Sequence, residues 1–64
     1  MRSTVVIPAL NEEEFIGDCL KSIRAQTVPP DEIIVMDNGS TDKTVEIAQK
    51  YADRVIVMPD VGIV

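Results

Sequence analysis

Three stretches of the chain are apolar without alternation: Thr4-Val5-Val6-Ile7, Glu32-Ile33-Ile34-Val35-Met36 and Arg54-Val55-Ile56-Val57-Met58. All three are rich in β-branched residues, and short unbroken apolar runs want burial on both faces, as parallel strands do. The segments between them carry a different period. Phe15, Ile16, Cys19, Leu20 and Ile23 fall three to five residues apart and predict one apolar stripe of a helix, with Cys19 as a core residue. Asn11 is placed to cap that helix, Glu14 to complete a capping box, and Leu10 to staple onto Phe15. Glu12, Glu13 and Glu14 suit the positive end of the helix dipole; Lys21 and Arg24 suit the negative end. Thr27-Val28-Pro29-Pro30-Asp31 stops the helix and returns the chain. A second helix is expected from Ser40 or Thr41, turning Val45, Ile47, Ala48, Tyr51 and Ala52 inward.

The resulting order, β-α-β-α-β, predicts an α/β fold with a three-stranded parallel sheet. Right-handed crossovers put both helices on one face of it. The other face is then left uncovered, which is the mark of a missing partner surface. Val61-Gly62-Ile63-Val64 brings no further helix pattern. The expectation is therefore an N-terminal piece of a larger α/β domain, or a homo-oligomer that closes over the open face. There is no internal repeat and no low-complexity tract.

Composition narrows the class of partner. With 64 residues, a single small domain buries only about 60% of its unfolded surface, so the core is thin. Six Lys and Arg against eleven Asp and Glu give a net charge of −5, which argues against nucleic acid as a partner. One Cys and no His exclude an internal disulfide, a Cys/His metal cluster and a His-based triad. No apolar run approaches the roughly 20 residues of a membrane span. Met1-Arg2-Ser3 leads straight into the first strand without a signal-peptide core. A cytoplasmic location is expected, with the inner membrane face as a variant of it for a longer protein.

In an open parallel sheet a ligand lies beyond the carboxyl ends of the strands. Two polar segments fall there: Pro8-Ala9-Leu10-Asn11-Glu12 and Asp37-Asn38-Gly39-Ser40-Thr41-Asp42. Each opens a helix, so main-chain N–H groups face the crevice. The first strand lacks the G-x-G-x-x-G of a dinucleotide fold, and no G-K-[ST] marks a P-loop. Asn38-Gly39 is a hairpin signal, but a helical pattern follows it. The Asp37–Asp42 stretch also lacks the spacing and distal Glu of a calcium loop.

Val6-Ile7-Pro8-Ala9-Leu10-Asn11-Glu12-Glu13, Gln26-Thr27 and Val35-Met36-Asp37-Asn38-Gly39-Ser40-Thr41-Asp42-Lys43-Thr44 together resemble glycosyltransferase family 2. The family pattern is V-I-P-x-Y-N-E, then Q-T, then V-V-D-D-G-S-x-D-x-T, and the resemblance covers nearly the whole chain. Gly62 suits the start of the family's next segment. The resemblance implies the Rossmann-like N-terminal part of a GT-A domain, residues 1–64 being its nucleotide-binding portion. It implies transfer of a sugar from a UDP- or GDP-sugar to an acceptor, with inversion. The acceptor, whether glycan, lipid or small molecule, is unassigned.

Carried over, the resemblance places Pro8 and Ala9 at the wall beside the base, Leu10 where relatives stack an aromatic, Glu12 near the ribose, and Asp37 as acceptor for the ring N–H of the base. A carboxylate is acceptor-only, and uracil and guanine each offer that donor. Glu12 reads equally as a first-turn dipole charge, and Leu10 as the staple with Phe15. Asn38 stands where the family has a second acid. Ser40 and Asp42 read as cap and first-turn charge of the second helix; Asp31, Asp53 and Asp60 read as solvated loop acids. The family implies a divalent cation, Mg or Mn, held by a D-x-D motif. No two Asp of this chain are two apart, so those ligands and the family's catalytic base are expected outside it. No catalytic residue is assigned, and the 64 residues alone are expected to be inactive. The competing expectation is a non-catalytic fragment that self-associates through its open sheet face.

Overall fold

A computed structural model describes residues 2–58; Asp60, Gly62 and the rest of the last segment lie outside the described residues. The element order is β1 (Thr4–Ala9), α1 (Ile16–Arg24), β2 (Glu32–Asp37), α2 (Thr44–Tyr51) and β3 (Arg54–Val57). The strands form one parallel sheet in the order β1-β2-β3. Its register pairs Ile7 with Val35 and Ala9 with Asp37. Val35 in turn pairs with Val55, and Asp37 with Val57. The α/β reading and the parallel sheet therefore stand.

Burial alternates along the central strand even though its apolar residues do not. Ile33, Val35 and Asp37 are buried, whereas Glu32, Ile34 and Met36 are half-buried. The buried set faces both helices. Ile33, Val35 and Ala9 join Ile16, Leu20 and Ala48 in the core, and Ile7, Ile23, Ile47, Tyr51, Ala52 and Val55 pack around them. On the opposite side Val6 keeps 51% of its surface open. The two helices touch each other closely at Gly17. A side chain there would begin 3.3 Å from Ile47 Cγ2, which explains a glycine inside a helix.

The start of α1 differs from expectation. Asn11 does not cap it: its φ is +51°, and its side chain accepts the Thr41 N–H from the other loop at 2.8 Å. Residues 12–15 form a turn in which Glu12 O accepts the N–H groups of Phe15 and Ile16, so the helix begins only at Ile16. No capping box forms. The stripe is rotated as well. Ile16, Leu20 and Ile23 face inward at i, i+4 and i+7, leaving Phe15 and Cys19 exposed, one residue (about 100°) off the buried line. Leu10 and Phe15 are both exposed and line different concavities, so no staple closes over the helix start. The second helix likewise begins at Thr44 rather than at Ser40 or Thr41, because those two residues are used by the loop.

At the amino ends of the strands two of the acids expected to be solvated are structural. Asp31 and Ser3 exchange bonds: the Ser3 N–H donates to Asp31 Oδ2 at 2.7 Å, and the Asp31 N–H to Ser3 Oγ at 3.2 Å. Asp53 Oδ2 accepts the Ile33 N–H at 2.7 Å and pairs with Arg24 at 3.1 Å. No described helix is long and apolar enough to cross a membrane.

Candidate functional site

The site lies at the carboxyl ends of β1 and β2. Pro8 and Ala9 end the first strand, and a left-handed residue at Asn11 turns the chain sharply away from the sheet. Asp37 ends the second strand, and Gly39, with φ of +101°, turns that loop in a conformation that favours glycine. Pro8, Ala9, Leu10 and Glu12 come together with Asn38 around one open concavity of about 250 Å³. Four of the five expected binding residues thus share a wall. Asn38 joins them, and the sequence singled it out only as a departure from the family pattern.

Asp37 is adjacent but does not line that concavity. It is fully buried, and its oxygens are taken up by its own loop. Oδ2 accepts the N–H groups of Gly39 at 3.1 Å and Ser40 at 2.8 Å, while Oδ1 accepts the Ser40 hydroxyl in a short bond. A carboxylate oxygen takes two donors, so Oδ1 keeps one lone pair uncommitted by these bonds.

The two loops are fastened to one another by more than the sheet. The Asn38 N–H donates to Ala9 O at 2.9 Å, extending the strand pairing by one step. Beyond it, the N–H groups of Asn11, Glu12 and Glu13 donate to Ser40 Oγ, Thr44 Oγ1 and Asp42 Oδ2 at 2.8, 2.8 and 3.2 Å. In the reverse direction the N–H groups of Thr41 and Lys43 donate to Asn11 Oδ1 and Glu13 Oε1. Sequence reasoning read Ser40 as a cap and Asp42 as a first-turn charge of the second helix, and missed Thr44. The signal was the crowding of small oxygen-bearing side chains between 37 and 44, the residue types that bond to main chain.

Hydrogen bonding sets the electrostatics of this loop pair. The Thr44 hydroxyl, then the Thr44 and Glu13 N–H groups, hold the Asp42 carboxyl below the ordinary value of 3.8, outweighing its desolvation. A second concavity of about 360 Å³ opens beside the first, lined by Asn11, Glu12, Glu13, Glu14, Phe15 and Asp42. Among the described residues no three His, Cys, Asp or Glu side chains gather to hold a metal ion. Asp37 and Asp42, in the second loop of the site, are turned onto N–H and hydroxyl donors. The donor set among the described residues does not fit a resident divalent cation.

The profile described as Glycosyl transferase family 2 matches residues 4–61. The 4,4'-diaponeurosporenoate glycosyltransferase of Staphylococcus aureus (strain USA300) is 49% identical over 57 residues, covering 89% of this chain and 15% of that protein. Among solved structures, glucosyl-3-phosphoglycerate synthase from Mycobacterium tuberculosis is 42% identical with a TM-score of 0.74, over 88% of this chain and 20% of that one. That crystal structure is a complex with Mn2+, uridine diphosphate and glucosyl-3-phosphoglycerate. The chain spans a small part of both relatives, and the matched part includes both loops of the site. By this match across nearly its whole length, the chain belongs to glycosyl transferase family 2.

Proposed function

We propose that residues 1–64 are the nucleotide-binding portion of a glycosyltransferase that moves a sugar from a UDP- or GDP-sugar to an acceptor. The observation that carries this reading is the gathering of Pro8, Ala9, Leu10, Glu12 and Asn38 around one concavity at the carboxyl ends of β1 and β2. Pro8 and Leu10 offer apolar contact to a base over the buried Ala9, and Glu12 offers a carboxylate to ribose hydroxyls. Asp37 Oδ1 keeps one lone pair for a ring N–H, and since the side chain is fully buried beside the concavity, the loop from Asn38 to Ser40 must shift for the base to reach it. The uridine diphosphate in the mycobacterial synthase supports a nucleotide as ligand.

The reaction is displacement at the anomeric carbon with inversion. The acceptor hydroxyl oxygen forms the new bond and gives its proton to a base outside these residues, as the bond to the nucleoside diphosphate breaks and takes its electron pair to phosphate. This chain's share is to bind and orient the donor. A divalent ion would offset the charge of the departing diphosphate, and no step is assigned to one on these residues.

Calorimetric titration of UDP and GDP into wild type and Asp37→Ala tests the reading, together with UDP methylated at its ring N–H. Binding of UDP or GDP by wild type, weakened by Asp37→Ala, supports it. For a uridine site, the methylated UDP should also bind more weakly than UDP. Equal indifference of both proteins to both nucleotides would sink it. Loss in Asp37→Ala without any effect of ring methylation would leave Asp37 as a loop anchor and remove its role toward uracil.

A second reading, self-association through the uncovered sheet face, is favoured by the exposure of Val6 beside half-buried Ile34, Met36 and Ile56. Sedimentation of the protein as a monomer across concentrations would count against it.

A further inference from the structure

The loop from Leu10 to Phe15 has neither strand nor helix to hold it, since β1 ends at Ala9 and α1 begins at Ile16. It is held by acceptors that belong to the other loop. The central bond of that set runs from the Glu12 N–H to the hydroxyl of Thr44, at 2.8 Å across 32 residues of sequence. Thr44 is fully buried, and both capacities of its hydroxyl are in use. It donates its proton to Asp42 Oδ1 and so turns its lone pairs toward Glu12. Asp42 Oδ1 also accepts the Thr44 N–H at 2.9 Å, which fixes the carboxylate behind the hydroxyl, while its Oδ2 takes the neighbouring Glu13 N–H. The relay runs from the Glu12 N–H through the Thr44 hydroxyl to the Asp42 carboxylate. An ionised terminus strengthens each bond in it.

We propose that Thr44, backed by Asp42, is a positioning residue for the nucleotide concavity, fixing the main chain at Glu12 and with it the direction in which Leu10 and Glu12 face a nucleoside diphosphate. This inference rests on the nucleotide-binding reading given above. Thr44 lines neither concavity, so it acts through the loop and touches no ligand. Val has nearly the shape of Thr but neither accepts from Glu12 nor donates to Asp42. Ser keeps the hydroxyl and drops only the methyl group.

The test measures UDP and GDP affinity by calorimetry for wild type, Thr44→Val and Thr44→Ser, with amide hydrogen exchange at Glu12 as a local readout. Thr44→Val should raise the dissociation constant about tenfold, the scale of one lost hydrogen bond to a buried group, and speed exchange at Glu12. Thr44→Ser should bring affinity back to within about threefold of wild type. If Thr44→Val does not fold, Asp42→Asn carries the test: it keeps the Thr44 hydroxyl and removes the charge that orients it, so UDP binding should weaken a few-fold. Unchanged affinity in a folded Thr44→Val or Asp42→Asn protein overturns the proposal. So does a loss in Thr44→Val that Ser fails to restore, because packing alone would then explain it. A wild type that binds neither UDP nor GDP overturns the nucleotide reading itself, an outcome distinct from wild-type binding that the variants leave intact.

Discussion

The two ends of the sheet are built from the same groups and put them to different uses. At the amino end, acids meet basic side chains: Arg2 and Arg54 approach Glu32 at 3.7 and 3.9 Å, and Arg24 pairs with Asp53 at 3.1 Å. All the ion pairs found among the described residues lie there. At the carboxyl end, Asp37, Asp42 and Glu13 accept N–H and hydroxyl donors and have no ion-pair partner among the described residues. The amino end adds charge neutralisation to the main-chain bonds of Asp31 and Asp53. The other is closed loop to loop, which holds main chain in place while leaving Pro8, Leu10 and Glu12 exposed. That contrast teaches where to look for function in a fold this small. A site needs rigid backbone and open side chains at once, and at the carboxyl end these come with a concavity between the two loops.

The largest effect should come from the element both ends share. Leu20 is fully buried between the sheet and α2, and Leu20→Ala should cost about 2–5 kcal/mol, a large share of the stability of a small domain. Thermal denaturation should show both ends lost in one transition; separate loss of nucleotide binding with the melt unchanged would break the picture of a common core.

The next change separates the ends. Asp53→Asn leaves the Ile33 N–H facing an amide and removes the partner of Arg24. The melting temperature should fall, while UDP affinity measured well below that temperature should stay within about twofold of wild type. A matched loss of affinity would mean that the ends are coupled.

Acid sharpens the same contrast. The Ile33 N–H and Arg24 hold the Asp53 carboxyl below 3.8, and the Thr44 and Glu13 groups do the same for Asp42. A folded value below the unfolded one gives stability that is present above pH 3.8 and lost as pH falls through the folded value. Melting temperature should therefore hold from pH 6 to about 4 and drop below it, with a shallower drop in Asp53→Asn. A smaller effect still is expected from Arg54→Gln. It removes only a 3.9 Å contact to Glu32 with Arg54 largely exposed, worth less than about 1 kcal/mol and erased by salt.

Much of the fold was legible because the strands announce themselves. β-branched runs separated by helix-length crossovers leave few alternatives to a parallel sheet, and the ligand end follows from strand direction alone. Strand direction placed the segment from Pro8 to Glu12 at that end, and the family resemblance singled out Pro8, Ala9, Leu10 and Glu12 within it. What was not legible depends on partners about 30 residues away. Asn11 looks like a helix cap until the Thr41 N–H is placed beside its side chain, and Phe15 and Cys19 look inward until the helix packs along Ile16, Leu20 and Ile23. Asp31 and Asp53 look solvated until the register brings Ser3 and Ile33 to them. Asp37 illustrates the remaining gap, since its position at the strand end was readable and its complete burial was not.

The central claim is that the carboxyl end of the sheet receives a nucleoside diphosphate. Amide NMR spectra recorded while UDP, and separately GDP, is added to the protein test it most directly. Shifts confined to residues 9–13 and 38–44, with Ser3, Asp31, Ile33 and Asp53 unmoved, are the predicted result. Shifts centred on the amino end, or none with either nucleotide, would contradict it.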